Sequence, residues 1–113
     1  MHELSLAESI RAIVEETAQA QGCTLVRTVV LEIGELSSVE VEALRFCLDA
    51  VLRDTPAAGA VIEIDALPGV GWCPACDRSV PLAQRYDPCP YCGGYQLRPT
   101  GGLEMRVREI EIE

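Results

Sequence analysis

The 113-residue sequence has no lysine, one histidine and few aromatic residues. Its nine basic side chains are all arginine and face 18 acidic ones, which gives a formal net charge of −9. Such a surface repels a phosphate backbone, so the composition argues against nucleic-acid binding. Aromatics make up 4% of the chain although 49% of it is hydrophobic. Any core must therefore be aliphatic.

Long apolar runs and targeting signals are also missing from the sequence. No segment has the roughly 18 apolar residues of a membrane span. The N-terminus lacks a basic stretch followed by an apolar one, which is the pattern of a secretory signal. We therefore expect a cytoplasmic protein without a membrane partner. In a chain that is not exported, the six cysteines stay reduced, which favours metal binding over disulfides.

Hydrophobic periodicity predicts an α+β fold, with two helices on a small, about three-stranded sheet. An S-x-x-E capping box at Ser5 begins a first helix that ends near residue 21, and a second box at Ser37 precedes a helix ending before Thr55. Strands are predicted at 25–33, 60–66 and 103–113. The predicted inward positions are Leu6, Ile10, Ile13, Val14 and Thr17 in the first helix, Leu25, Val29, Leu31 and Ile33 in the first strand, and Leu103, Met105, Val107, Ile110 and Ile112 in the last.

In the last of these strands the apolar residues switch from odd to even positions after Val107, so they do not all fall on one face of a regular strand. A bulge near Arg108 would turn Ile110 and Ile112 inward as well, and the alternative is a strand buried on both sides.

Glycine and proline mark the bounds of an insert in this fold. Residues 68–100 hold four cysteines but few aliphatics, and carry a net charge of +1 against −8 for 1–67 and −2 for 101–113. We predict an α+β domain formed by 1–67 plus 101–113, interrupted by a zinc-knuckle or ribbon module at 68–100.

Two CxxC pairs within the insert, Cys73 with Cys76 and Cys89 with Cys92, are separated by twelve residues. Thiolates three apart on a tight turn can point at one ion, and two facing turns complete a tetrahedron of sulfur. Zn²⁺ is the expected metal, although iron in a rubredoxin-like site suits the same ligands. Reduced redox dithiols and two disulfides are the competing interpretations. Four-sulfur zinc has no open coordination position, so the predicted site is structural.

The remaining two cysteines, Cys23 and Cys47, carry no such spacing. Free cysteine commonly behaves as a small buried hydrophobe, and we predict that role for both.

The single histidine is His2, where a mobile terminal side chain is the simplest interpretation. A sharper one is chelation. The Met1 amine, the next backbone amide and the imidazole can hold one ion in fused rings, an arrangement suited to Ni²⁺ or Cu²⁺ in square-planar nitrogen ligation.

Five stretches in order resemble the HypA/HybF family: MHELSL at the start, VLEIGELSSVE at 30–40, FCLDAV at 46–51, the paired CxxC motifs, and GGLEMRVREIEIE at the end. The resemblance covers essentially the whole chain. It implies a nickel metallochaperone for [NiFe]-hydrogenase maturation, which works with a maturation GTPase and docks on the immature hydrogenase large subunit.

The resemblance also implies site residues. Nickel falls on His2, with the Met1 amine and nearby backbone nitrogens, and on Glu3 and Glu40 as weaker candidates. For Glu40 the alternative is a capping-box glutamate that satisfies Ser37. Structural zinc falls on the four CxxC cysteines.

One departure concerns the residues directly after the CxxC pairs. Some relatives carry histidine there, whereas this chain has Asp77 and Gly93, so no imidazole from the module can complete the nickel site.

Two rival functions remain at this stage. A zinc-ribbon interaction or nucleic-acid-binding module would leave His2 idle, and a rubredoxin-like electron carrier would hold iron. We expect no enzyme, because no nucleophile–base pair is readable and the predicted zinc has no free position.

Overall fold

The computed structural model describes residues 3–113, so the predictions for Met1 and His2 lie outside the described residues. Within that range it contains two helices, α1 (Glu3–Gln21) and α2 (Val41–Val51), and six strands: β1 (Val26–Gly34), β2 (Val61–Leu67), β3 (Val70–Cys73), β4 (Arg78–Pro81), β5 (Arg98–Gly101) and β6 (Met105–Ile112). They form two three-stranded sheets, ordered β2-β1-β6 and β4-β3-β5. The predicted α+β class is confirmed.

The chain divides into two compact units. The helical unit comprises the chain up to Glu32, Val39–Asp65 and Arg106–Glu113. The cysteine unit comprises Ile33–Ser38 and Ala66–Met105.

Helix α1 begins two residues before the predicted capping box, which is a correction. Ser5 lies within the helix, and its carbonyl accepts a hydrogen bond from the Ser9 hydroxyl at 3.1 Å, so Ser5 is not the N-cap. Gly22, at φ +64°, ends the helix in a Schellman motif, in which Cys23 N–H donates to the Ala18 carbonyl. Neither helix within residues 3–113 is both long and apolar enough to cross a lipid bilayer.

The aliphatic core of the helical unit draws on both helices and on β1. Ile13, predicted inward, is instead 42% exposed. The α1 side chains that are buried are Leu6, Ala7, Ile10, Val14 and Ala18, and α2 adds Leu44 and Leu48. An Arg11 guanidinium that donates to the Val51 carbonyl at 3.2 Å joins the two helices.

Strand β1, the central strand of its sheet, is buried on more than the predicted face. Val29, Leu31 and Ile33 are buried as predicted, whereas Leu25 is 44% exposed. Val26 and Val30, at positions of the opposite parity, are also buried, which the sequence did not predict.

Strand β6 shows the parity change that the sequence indicated. Val107, Ile110 and Ile112 are half-buried, with exposed Arg108 and Glu109 between them. Leu103 and Met105, also predicted inward, are both exposed by more than a third.

The cysteine unit is organised by strand β3, which pairs with β4 on one edge and with β5 on the other, both antiparallel. The register Cys73↔Arg78 makes the first CxxC pair the turn of the β3–β4 hairpin. The sequence analysis left this sheet out, because its four-residue strands carry little apolar alternation. Val80 packs with Cys73 and Cys89 in a small core, bordered by Cys76 and Leu97.

Candidate metal centres

The four CxxC cysteines converge on one point. All four Sγ atoms lie within 4.8 Å of one another. The Sγ–Sγ distances are 3.7 Å for Cys73–Cys92 and 3.9 Å for Cys76–Cys89. Zn–S bonds of about 2.3 Å in a tetrahedron put sulfur atoms about 3.8 Å apart. The spacing of these two pairs therefore matches a four-thiolate metal site.

Each of the two turns closes in the same way. The residue after each pair adopts a left-handed conformation, with φ 53° at Asp77 and φ 74° at Gly93. Aspartate is one of the few side chains that tolerate this conformation. In the second turn, Gly93 N–H donates to the Cys89 carbonyl and Cys89 N–H to the Gly94 carbonyl, both at 2.8 Å. The positions where some relatives carry histidine therefore act here as backbone turn residues.

The backbone of the second turn also prepares one ligand. The N–H of Cys92, and after it that of Tyr91, donates to the Cys89 sulfur and lowers the pKa of the Cys89 thiol to about 7. Burial, followed by hydrogen bonds with the neighbouring thiols, raises the pKa of Cys76 to about 12. A metal that binds all four sulfurs as thiolates therefore displaces protons, and the Cys76 proton costs more than that of Cys89.

A cation–π contact joins the two turns. The Arg78 guanidinium carbon lies 4.3 Å from the centroid of the Tyr91 ring. This contact holds the Arg78 guanidinium, a positive charge, on the residue two positions after Cys76. Attraction to an aromatic face contributes about 0.5–1 kcal/mol at an exposed site.

The two acidic residues of the predicted nickel site lie together. Glu40 N–H donates to the Glu3 carboxylate at 3.0 Å, across 37 residues of sequence. Glu40 is itself the N-cap of α2, and its carboxylate accepts from Ala43 N–H at 2.6 Å. The predicted capping box is wrong, because the Ser37 hydroxyl donates to the Gly34 carbonyl instead. No spacing rule pairs residues this far apart, so the contact was not predictable from sequence.

The two isolated cysteines differ from their prediction. Cys23 and Cys47 are half-buried thiols rather than fully buried hydrophobes. Neither belongs to the four-sulfur cluster, the group of candidate ligands found among residues 3–113.

These features define a small α+β metal-binding protein with a closed four-thiolate centre. A family model described as "Hydrogenase/urease nickel incorporation, metallochaperone, hypA" matches residues 1–112. The chain belongs to the HypA family of nickel metallochaperones for hydrogenase maturation.

Curated relatives match over their full length. The chain is 65% identical to the hydrogenase maturation factor HypA of Azoarcus sp. (strain BH72) over 112 residues, 99% of this chain and 98% of that protein. It is 52% identical to the HypA of Azotobacter vinelandii, with both chains fully covered.

Solved structures agree with the fold. The solution structure of the Ni metallochaperone HypA from Helicobacter pylori superimposes with a TM-score of 0.71 at 26% identity, covering 99% of this chain and 97% of that one. Neither rival, the nucleic-acid-binding ribbon or the electron carrier, finds support in these similarities.

Proposed function

We propose that the protein captures Ni²⁺ at its N-terminus and delivers it during [NiFe]-hydrogenase maturation. The ligands are the Met1 amine, the His2 imidazole and nearby backbone nitrogens, with Glu3 and Glu40 in support. The nickel site belongs to the domain formed by 1–67 plus 101–113. A maturation GTPase and the immature hydrogenase large subunit are the partners, in the cytoplasm, and the protein carries out no bond-making chemistry on a substrate.

The observation that carries this proposal is the Glu3–Glu40 hydrogen bond. Glu3 directly follows His2, so the contact fixes the residue next to the imidazole against the start of α2. Both carboxylates act as acceptors, the role of ionised glutamate, and bring two negative charges to this point. Negative charge favours a divalent cation nearby.

The second metal in the proposal is structural zinc, held by Cys73, Cys76, Cys89 and Cys92 in the module at 68–100. The sulfur spacing and the all-thiolate donor set support zinc. When bound, zinc crosslinks the two turns of the module. Because four protein ligands leave no open position, the cargo nickel needs a separate site.

A few ligands at one chain end suit a carrier better than a closed cage. The carrier must bind nickel in preference to water, yet release it to a better site. Imidazole and amine nitrogens also lose their metal on mild acidification, because unperturbed pKa values are about 6.5 and about 7.7–8.

The test compares nickel stoichiometry, by equilibrium dialysis, in the zinc-loaded native chain, in His2→Ala, and in a version with a few residues added before Met1. We expect one nickel in the native chain and a loss of binding in both altered chains, with zinc content unchanged in all three. Equal nickel binding in the three proteins would contradict a terminal site.

A second measurement addresses the metal of the cysteine site. A colourless protein that releases zinc on denaturation supports zinc. Thiolate-to-iron absorption in the purified protein would favour iron.

A further inference from the structure

A cavity of about 330 Å³ opens beside α2 in the helical unit. Its floor is apolar: Leu48, Leu52 and Ala57 are buried, and Ile62 is half-buried. Ligand pockets begin at about 300 Å³. The cavity therefore holds one or two side chains rather than a large cofactor.

The loop that frames the cavity is held by buried hydrogen bonds. The Thr55 hydroxyl donates to the Leu52 carbonyl at 2.8 Å and accepts from Ala57 N–H at 3.1 Å. Ala60 N–H donates to the Ala57 carbonyl at 3.0 Å, across the turn at Gly59. Because these bonds satisfy the loop backbone internally, the cavity is preformed.

Two arginines line this cavity in a chain of net charge −9. Arg45 and Arg53 are two of the four arginines in residues 1–67; Arg45 lies 3.9 Å from Glu42, and Arg53 shares the lining with Asp49. Arg45 is fixed by donation to the Ile62 carbonyl at 2.8 Å. Arg53 lies 3.6 Å from Asp49, with side chains 72% and 80% exposed, and an exposed pair of this kind is weak. A carboxylate from another molecule can replace Asp49 at little cost.

An exposed aromatic ring lies at the edge of the same surface. Phe46 is 78% exposed on α2. The residue three positions further along a helix is a neighbour on its surface, and here it is the cavity residue Asp49. Arg53 lies two residues beyond the end of α2 and joins this surface through its 3.6 Å contact with Asp49. Large exposed aromatics next to an arginine are typical of protein–protein contact sites.

We propose that this surface of α2 docks a segment of a partner protein in which an aliphatic side chain stands next to an acidic residue. The aliphatic group fills the apolar floor, the carboxylate pairs with Arg53, and the flanking chain covers Phe46. A small carboxylate would fill the cavity but leave Phe46 exposed. A second copy of this chain is disfavoured by the repulsion of two −9 molecules.

The docking surface is independent of the nickel ligands. Its centre at Asp49 lies nine residues beyond Glu40, which corresponds to about 14 Å of helix rise. A partner docked there contacts the helix whose N-cap Glu40 supports the proposed nickel site. The surface can be tested without nickel, so its failure and that of the nickel site are distinguishable.

The test uses a blocked nine-residue peptide whose central leucine is flanked by two glutamates, titrated into ¹⁵N-labelled, zinc-loaded protein. We expect amide shifts confined to Phe46, Asp49, Arg53 and the loop residues 57–60. A matched peptide with glutamines for glutamates should bind at least about threefold more weakly, and high salt should remove the difference. Absence of these shifts would overturn the proposal.

Matched variants locate the site. Arg53→Gln should weaken binding of the acidic peptide about threefold to tenfold. Arg27→Gln is its control, because Arg27 is 65% exposed, lies 3.6 Å from Glu113 and is not part of the cavity. Ala58→Leu, at an exposed lining position, should block the cavity, and Phe46→Ala should weaken binding. Thermal unfolding checks that each variant is folded.

Several outcomes would contradict the proposal. Equal weakening by Arg53→Gln and Arg27→Gln would show unspecific charge attraction. Undiminished binding to Ala58→Leu would place the site elsewhere. N-acetyl-leucyl-glutamate binding as tightly as the nine-residue peptide would indicate a small-molecule site. Self-association abolished by Arg53→Gln would make a second copy the occupant.

Discussion

The Glu3 carboxylate accepts a hydrogen bond from the backbone N–H of Glu40, and thereby joins the first turn of α1 to the N-cap of α2. Glu3→Gln retains an acceptor and loses the charge, whereas Glu3→Ala loses both, so we expect nickel affinity to fall about threefold for Glu3→Gln against about tenfold for Glu3→Ala. Nickel titration by calorimetry measures both. Equal losses in the two variants would show that the charge is what nickel requires.

Glu40 has two roles that substitution can separate. Glu40→Ala removes the acceptor for Ala43 N–H and should lower the free energy of unfolding by about 1 kcal/mol, whereas Glu40→Ser, a good N-cap, should restore most of it. Nickel affinity should fall in both variants, because both lack the carboxylate. Urea unfolding of the zinc-loaded chain gives the stability. Unchanged nickel affinity in Glu40→Ser would restrict Glu40 to capping.

The two metals should respond differently to pH. Nickel at the N-terminus competes with protons on an imidazole of pKa about 6.5 and an amine of about 7.7–8, so its affinity falls between pH 8 and pH 6. Zinc affinity also falls as the pH drops below the Cys89 pKa of about 7, because zinc must then displace a proton from the Cys89 thiol of the metal-free chain. Thiolate zinc binding is far tighter, so at pH 6 zinc should remain while nickel is lost. Metal analysis after dialysis at each pH decides this.

Zinc removal should affect the cysteine unit first. Two of the three residues in the small core beside the sulfurs, Cys73 and Cys89, are themselves metal ligands, so the part of the sheet next to the two turns loses its main support without the ion. We expect a chelator to abolish amide-exchange protection in β3, β4 and β5. Protection of α1 and α2, with their separate aliphatic core, serves as the internal control. Retained protection in β3–β5 after complete zinc release would contradict this account.

Gly34 and Gly102 approach too closely for any side chain. A Cβ placed on Gly34 would lie 2.0 Å from the Gly102 carbonyl carbon and oxygen, so the two backbones would have to separate. Gly34→Ala should lower the free energy of unfolding by about 3 kcal/mol or prevent folding. Gly59→Ala is the matched control, because its Cβ meets nothing within 4 Å and only its φ of +77° opposes alanine, at about 1 kcal/mol. Similar losses in both would show that the close approach is unimportant.

Sequence reasoning worked where the signal was local. The two CxxC pairs place ligands by spacing alone, and the helices follow from 3.6-residue periodicity. It failed where a sequence pattern is compatible with more than one local structure. Ser5 and Ser37 both satisfy a capping-box pattern. However, Ser5 lies inside α1, and the N-cap of α2 is Glu40. Val26 and Val30 of β1 are buried in addition to the predicted face, and burial at both parities depends on what packs above and below the sheet, which local alternation does not encode. The Glu3–Glu40 contact and the cavity beside α2 depend on tertiary packing between distant segments.

The turn at Cys73 and Cys76 is also the turn of the β3–β4 hairpin. Half of the metal ligands are therefore positioned by a segment only six residues long, from Cys73 to Arg78. A hairpin with so short a loop closes rapidly, whereas Cys89 and Cys92 must be brought in over a longer loop. During synthesis Cys73 and Cys76 leave the ribosome before Cys89 and Cys92, so only half of the ligand set is available until the second turn has emerged.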